Sequence, residues 1–255
     1  MRFDMHRVGQ MAKARAMFAA EFFWPARSLL TGEISGNGGL LNASEFSAVT
    51  FVDRGCRLCA RPLRDYYGAE TDCVLCQGKP PVWDQARAAV VYYQISRPLI
   101  LGLKYGGQRG ALPIMANWMV QAARDLLVET DWLVPVPLHY TRLVKRGFNQ
   151  AVWLAQPVAT SAGTKLCIDG LVRSRATASQ GGKTGKQRQQ NVAGAFHVRP
   201  AKRRRLQRSV VTLVDDVLTT GSTVAACAGA LKKAGVRKVN VLVFARVVTD
   251  KHNPI

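Results

Sequence analysis

One segment commits the chain to a parallel α/β architecture. Residues 209–245 read as an apolar run, a polar turn, an amphipathic stretch and a second apolar run. SVVTLV is rich in β-branched residues, so a strand is predicted over 209–214. Val224, Cys227, Ala228 and Leu231 recur at i, i+3, i+4 and i+7, predicting a helix over about 222–234 with Gly235 as its C-terminal cap. A second strand is expected over 238–245. Strand, helix and strand in this order join parallel neighbours through a right-handed crossover. Upstream the pattern repeats: a strand in ARAAVVYY, a helix in PLILGLKYG, a longer helix at about 111–128 and a buried strand in DWLVPVPLHY. NQAVWLAQPVATSAG then reads as a helix disturbed at Pro157. The fold class predicted is α/β, a parallel sheet with helices on both faces.

The turn after the first of these strands carries the chemistry. It lies at the C-terminal edge of a parallel sheet, where open α/β folds bind ligands. The turn at Gly221 feeds a helix N-terminus, whose free N–H groups and positive dipole suit a phosphate, and Thr219, Thr220, Ser222 and Thr223 add hydroxyl donors. Asp215 and Asp216 repel that phosphate and must face sugar hydroxyls or a magnesium ion. A loop with carboxylates at one end and a phosphate cradle at the other is shaped for a ribose 5-phosphate. GGKTGK, residues 181–186, fails as a Walker A loop, because Thr177 stands where that pattern needs glycine.

Cys56, Cys59, Cys73 and Cys76 form two CxxC pairs separated by thirteen residues, the spacing of two knuckles that converge on one structural zinc ion. Four thiolate ligands leave no open position for catalysis. Cys167 and Cys227 stand apart and are expected to be buried as small apolar residues. Residues 7–24 have helical periodicity through Met11, Ala14, Phe18 and Phe22, and GKPP marks a boundary after the cysteines. The domain organisation expected is an N-terminal amphipathic helix at 1–25, a zinc-knuckle domain at 26–80 and an α/β domain at 81–255. The net charge of +20 over 255 residues favours polyanionic partners, nucleic acid or phosphorylated small molecules. The apolar stretch AMFAAEFFW is too short to cross a membrane and is interrupted by Glu21, and the N-terminus lacks the order of a signal peptide, so a cytoplasmic protein is expected.

VDDVLTTGST resembles the 5-phosphoribosyl diphosphate (PRPP) motif of type I phosphoribosyltransferases. With LILGLKYGG (99–107), VPVPLHYTRLVKRGFNQA (134–151) and QGGKTGKQRQQNVAGAF (180–196), in this order after a cysteine knuckle, the chain resembles the competence protein F (ComF) family, the GntX-like phosphoribosyltransferases. The resemblance covers about residues 26–247. It implies a type I phosphoribosyltransferase-like, Rossmann-like sheet preceded by a small zinc-ribbon-like domain. It also implies that Asp215 and Asp216 hold the ribose 2- and 3-hydroxyls while Thr219, Thr220, Gly221, Ser222 and Thr223 hold the 5-phosphate. Purine-salvage members usually carry an Asp at the fourth position after the first acid; Thr219 stands there and counts against a 6-oxopurine acceptor.

Arg142, Lys145 and Arg146 lie just beyond a strand end, where they can meet a diphosphate, and Arg suits bidentate phosphate contacts. Arg142 and Arg146 are the candidates for stabilising the leaving diphosphate of magnesium-bound PRPP. Lys104, Arg173, Arg188 and Asn191 are candidates to close over the site, and His139 reads as a turn residue rather than a base. Family members commonly carry an earlier CxxC pair; here those places read SLLT (Ser28, Thr31) and NASE (Asn42, Glu45), so one zinc per chain is expected. Three functions stay open: a phosphoribosyltransferase of unknown acceptor; as the family name implies, a DNA-uptake protein that binds single-stranded DNA, works with other competence proteins and has a regulatory or vestigial PRPP site; or a zinc-dependent scaffold without ligand. The run KRRRLQR (202–208) bears on the second, although it lacks interleaved aromatics for stacking on bases.

Overall fold

The computed structural model describes residues 27–35, 40–63, 71–174 and 194–248. The amphipathic helix expected in residues 7–24 lies outside the described residues, as do Arg188 and Asn191. The chain divides into two compact units, one ending at Val49 and one beginning at Thr50.

In the first unit, an antiparallel bridge from Arg27 to Ile34 is followed by helix α1, Ala43–Ser47. Asn42 and Glu45 form a reciprocal capping box at its start.

The second unit is built on five parallel strands in the order β1-β7-β6-β2-β3. They are β1 (Gln85–Val91), β2 (Trp132–Pro135), β3 (Lys165–Leu166), β6 (Val210–Leu218) and β7 (Lys238–Arg246). A two-stranded antiparallel hairpin, β4 (Leu171–Arg173) with β5 (Phe196–Val198), stands beside the sheet. The helices are α2 (Val74–Gly78), α3 (Ser96–Tyr105), α4 (Leu112–Ala122), α5 (Arg124–Val128), α6 (Tyr140–Arg146), α7 (Gln150–Ala162), α8 (Pro200–Leu206) and α9 (Ser222–Lys233). The expected parallel α/β sheet is thus observed.

Strand alternation builds a core on each face. Val211 and Leu213 of β6, with Val239, Val241 and Val243 of β7, pack against Val224, Cys227, Ala228 and Leu231 of α9. On the other face α4 and α7 lie against the strands and each other, and Trp118 of α4 stacks on Phe244 of β7. The two threonines that interrupt this apolar packing, Thr130 and Thr212, satisfy each other across 2.7 Å. Cys167 and Cys227 are buried in the core, as expected.

Three sequence expectations need adjustment. The helix expected over about 111–128 breaks at Ala123, whose φ of −127° leaves the helical range, giving α4 and α5. Pro157 does not disturb α7, which runs through it to the left-handed cap Gly163. Leu154, Ala155, Val158 and Ala159 are buried around it, and their packing outweighs the single hydrogen bond that proline removes. β6 continues four residues beyond 214, because β7 still offers partners at Ala245 and Arg246 to Val217 and Leu218.

Candidate functional site

Because β6 extends to Leu218, both acids stand on a strand rather than in a loop. Neighbours on a strand leave on opposite faces. Asp216, only 4% exposed, faces α3 and places Oδ2 at 3.1 Å from Lys104 Nζ. Asp215 points to the α9 face and accepts from the Asp216 amide at 2.9 Å. Both still line one cavity of about 340 Å³ at the C-terminal ends of β2 and β6. Its walls include Lys104, Arg142, Asn149, Gln150, Arg173, Thr219, Gly221, Ser222 and Thr223.

Burial first, and then the charge of Asp216, push the Asp215 carboxyl up to about 7, while Lys104 and Arg173 pull it back. Arg173 is 7% exposed at the end of β4, with its guanidinium 5.2 Å from the Phe196 ring centroid. Burial and the nearby charge of Arg142 both lower its pKa, though not enough to discharge an arginine. The cavity therefore has two guanidinium groups on one side, two carboxylates on its floor and a helix N-terminus at the end. Gly221 makes that last feature: its φ of +77° turns the chain from β6 into α9, whose first amides have no partner within the helix.

The RGFNQ motif, residues 146–150, builds the wall between β2 and α7. Gly147 closes α6 at φ +79°, and Asn149 caps α7 by accepting from Ala151 N while donating to Val136 O. Phe148 stacks on Trp153 at 3.8 Å, and the Arg109 guanidinium lies over the Trp153 ring at 4.0 Å from its centroid. Arg146 donates to Gln150 Oε1 at 2.6 Å and lies over Tyr105. Neither Arg146 nor Lys145 lines the cavity; Gln150 does. His139 is the N-cap of α6, accepting from Thr141 N, in keeping with a turn role. Thr220 lines a second cavity, of about 510 Å³, on the other side of the loop. Arg173 and Gln150 are the site residues that motif reading weighted least. Arg173 reaches Asp215 only through the pairing of β4 with β5, and Gln150 looks like an ordinary first residue of a helix.

The four cysteines form a separate centre. All four sulfurs lie within 4.8 Å of one another, and Cys59 and Cys73 Sγ are 3.7 Å apart. A tetrahedral ion with sulfur at about 2.3 Å sets ligand sulfurs roughly 3.8 Å apart, so the set fits a metal such as zinc. Knuckle geometry supports it: Ala60 N donates to Cys56 O, Ala60 adopts φ +55°, and Cys73 N donates to Cys56 Sγ. Hydrogen bonding from Cys59 lowers Cys56 to about 4, the same bond pushes Cys59 up, and burial pushes Cys76 up. Among the described residues this is the group of metal-ligating side chains close enough to share an ion.

In the first unit, Ser28, Thr31, Asn42 and Glu45 also meet. Ser28 Oγ donates to the Glu45 carboxylate at 2.6 Å, Thr31 Oγ1 at 3.1 Å and Asn42 N at 2.8 Å. Burial raises the Glu45 pKa, but these bonds outweigh it and leave the group below its ordinary value.

No family model matches the chain. Among curated proteins it is 32% identical over 196 residues to competence protein F of Haemophilus influenzae, covering 75% of this chain and 84% of that protein. It is 31% identical over 209 residues to the DNA utilization protein YhgH of Salmonella typhi, covering 76% and 90%. The corresponding Escherichia coli K12 protein is 31% identical over 182 residues, covering 69% and 78%. Among solved structures, a Bacillus subtilis glutamine PRPP amidotransferase complexed with ADP and GMP is similar at 22% identity and a TM-score of 0.36, covering 52% of this chain and 26% of that one. A hypoxanthine phosphoribosyltransferase from Staphylococcus aureus is similar at 11% identity and a TM-score of 0.34, covering 56% and 76%. No helix among the described residues is long and apolar enough to cross a membrane.

Proposed function

The chain belongs to the competence protein F family, and from that premise we propose that its cavity binds PRPP, or a related ribose phosphate, and transfers the phosphoribosyl group to an acceptor in the cytoplasm. The observation that carries this reading is the meeting of Asp215, Asp216, Arg142, Arg173, Lys104 and the α9 N-terminus in one cavity. A ribose with a phosphate at one end and a diphosphate at the other needs acceptors in the middle and positive charge at both ends.

In this reading Thr219, Ser222, Thr223 and the first amides of α9 hold the 5-phosphate, as helix N-termini hold anions. Asp215 and Asp216 accept from the ribose hydroxyls and fix the ring. Arg142 and Arg173 hold the diphosphate, and Arg146 positions Gln150 from behind the wall. Departure of the diphosphate leaves positive charge at the anomeric carbon, and a nucleophile from the acceptor forms the new bond there. No protein nucleophile takes part. The chain's work is orientation, together with neutralisation of the leaving group by fixed guanidinium groups.

When bound, magnesium would further neutralise the diphosphate. The carboxylate oxygens of Asp215 and Asp216 are the donor type that such a hard cation requires. Burial and the adjacent Asp216 charge raise the Asp215 pKa, and a cation bound between the two carboxylates would offset both. Zinc, in the four-cysteine centre, is structural.

A second reading, nucleic-acid binding, is supported by the relatives named DNA utilization protein and by α8, where Arg203 and Arg204 extend from a short basic helix. The two readings separate cleanly. PRPP with magnesium should bind the wild type and not the Asp215→Ala/Asp216→Ala variant. Single-stranded DNA affinity should fall steeply with salt if the basic surface contacts phosphates. PRPP binding that survives the double substitution ends the first reading, and no DNA binding at low salt ends the second.

A further inference from the structure

The loop that turns β6 into α9 has a bracing system on the side away from the cavity. Arg246, the last residue of β7, is 8% exposed. Its Nη1 lies 2.8 Å from Leu218 O, 2.7 Å from Thr219 O and 2.6 Å from Val247 O. Its Nε donates to Cys59 O at 2.8 Å. One guanidinium group thus ties the first residue of the phosphate-binding turn to a residue of the cysteine centre.

Trp83 makes a second tie, independent of the first. Its indole N–H donates to Leu58 O at 2.6 Å, inside the first CxxC knuckle. The far edge of the same ring lies against Gly221, so closely that a Cβ on Gly221 would stand 2.6 Å from Trp83 Cη2. The carbonyls that orient both braces, Leu58 and Cys59, belong to the short chelate loop between Cys56 and Cys59. The position of that loop is set by how its sulfurs are held. The second cavity, lined by Cys59, Cys76, Trp83, Leu218, Thr219 and Arg246, occupies the space between the knuckle and the turn.

We propose that Arg246 and Trp83 are positioning residues through which the metal-loaded cysteine knuckle holds residues 218–221 in the phosphate-binding conformation. The knuckle is then part of the ribose-phosphate site without touching the ligand, and metal release loosens the cradle. Removing the Arg246 guanidinium takes this donor from Thr219 O and Cys59 O, while Leu218 O still accepts from Val247 N. The inference rests on the reading of the cavity as a PRPP site for its functional consequence, and on geometry alone for the mechanical link.

The test uses the full metal-loaded chain as wild type, Arg246→Met, Arg246→Lys and Trp83→Phe. Three quantities are read: metal per chain, hydrogen exchange of the amides of residues 218–224, and PRPP affinity by calorimetry with magnesium present. Trp83→Phe deletes both the N–H donor and the far ring edge that lies against Gly221, so it cuts the second tie independently and remains informative if Arg246→Met fails to fold. The expected result is retained metal, faster loop exchange and affinity lower by on the order of tenfold in Arg246→Met, where all four charge-assisted hydrogen bonds are lost. Arg246→Lys should recover part of that loss, because an ammonium group reaches some of the four carbonyls. Stripping the wild-type metal with a chelator should speed exchange in the same amides, and should add little in Arg246→Met, where the link is already cut. Loop exchange unchanged by metal removal, by Arg246→Met and by Trp83→Phe would overturn the proposal. If the wild type does not bind PRPP, the reading of the cavity fails, while the exchange measurements still decide the link.

Discussion

Replacing Asp215 with asparagine should stabilise the fold while removing ribose binding, and the pH dependence of the first effect identifies its cause. Burial and the adjacent Asp216 charge hold the folded carboxyl at about 7, against an ordinary value of 3.8. Between those values the folded protein keeps a proton that the unfolded chain has released. Stability contributed by this group therefore falls as pH rises from about 4 to about 7, and levels off above. At about 1.4 kcal/mol per pH unit, the wild type loses up to about 3 kcal/mol between about pH 5 and about pH 8 that the asparagine variant does not lose. Residual solvent access trims this, so a gap widening by at least about 1 kcal/mol is expected, roughly 2–4 °C in melting temperature for a unit of this size. Urea denaturation of both proteins across that pH range measures it directly. A gap that stays constant, or a wild type that gains on the variant as pH rises, would refute the assignment of a strained carboxylate at Asp215.

Other consequences follow from single residues. Gly221→Ala combines a left-handed backbone with a clash against the Trp83 ring, and should destabilise the large unit by roughly 2–4 kcal/mol, read by chemical denaturation. Arg173→Met removes one of the two cavity guanidinium groups, together with its contact over the Phe196 ring; diphosphate competition for PRPP should weaken on the order of tenfold. Glu45→Gln weakens the bonds from Ser28 and Thr31, and should cost the first unit about 1–3 kcal/mol, seen as faster amide exchange over residues 42–48. Since the Glu45 pKa is lowered on folding, the wild-type contribution is present above the ordinary value of 4.5 and disappears as pH falls through the folded value.

What sequence made legible follows from how local each signal is. The strand, turn and helix over residues 210–233 depend on neighbouring residues alone, and the apolar periodicity found them within a few positions. The knuckle was equally plain, because cysteine spacing reports a chelate loop directly. The end of β6 is not legible in the sequence because a charged pair interrupts the apolar run, while the strand's length is set by pairing with β7, more than twenty residues away. In the sequence Arg173 reads only as a candidate for closing the site. Its place beside Asp215 comes from a hairpin whose two strands are separated by a long polar segment. Arg246 and Trp83 carried no motif at all: a brace made of backbone carbonyls leaves no pattern of side chains to read.

Calorimetric titration of PRPP, with magnesium, into the full chain and into its Asp215→Ala/Asp216→Ala variant tests the central claim most directly. The expected result is saturable binding by the wild type with one ligand per chain, and none by the variant at comparable folded content. Equal binding by both proteins, or none by a correctly folded and metal-loaded wild type, would contradict the account of the cavity.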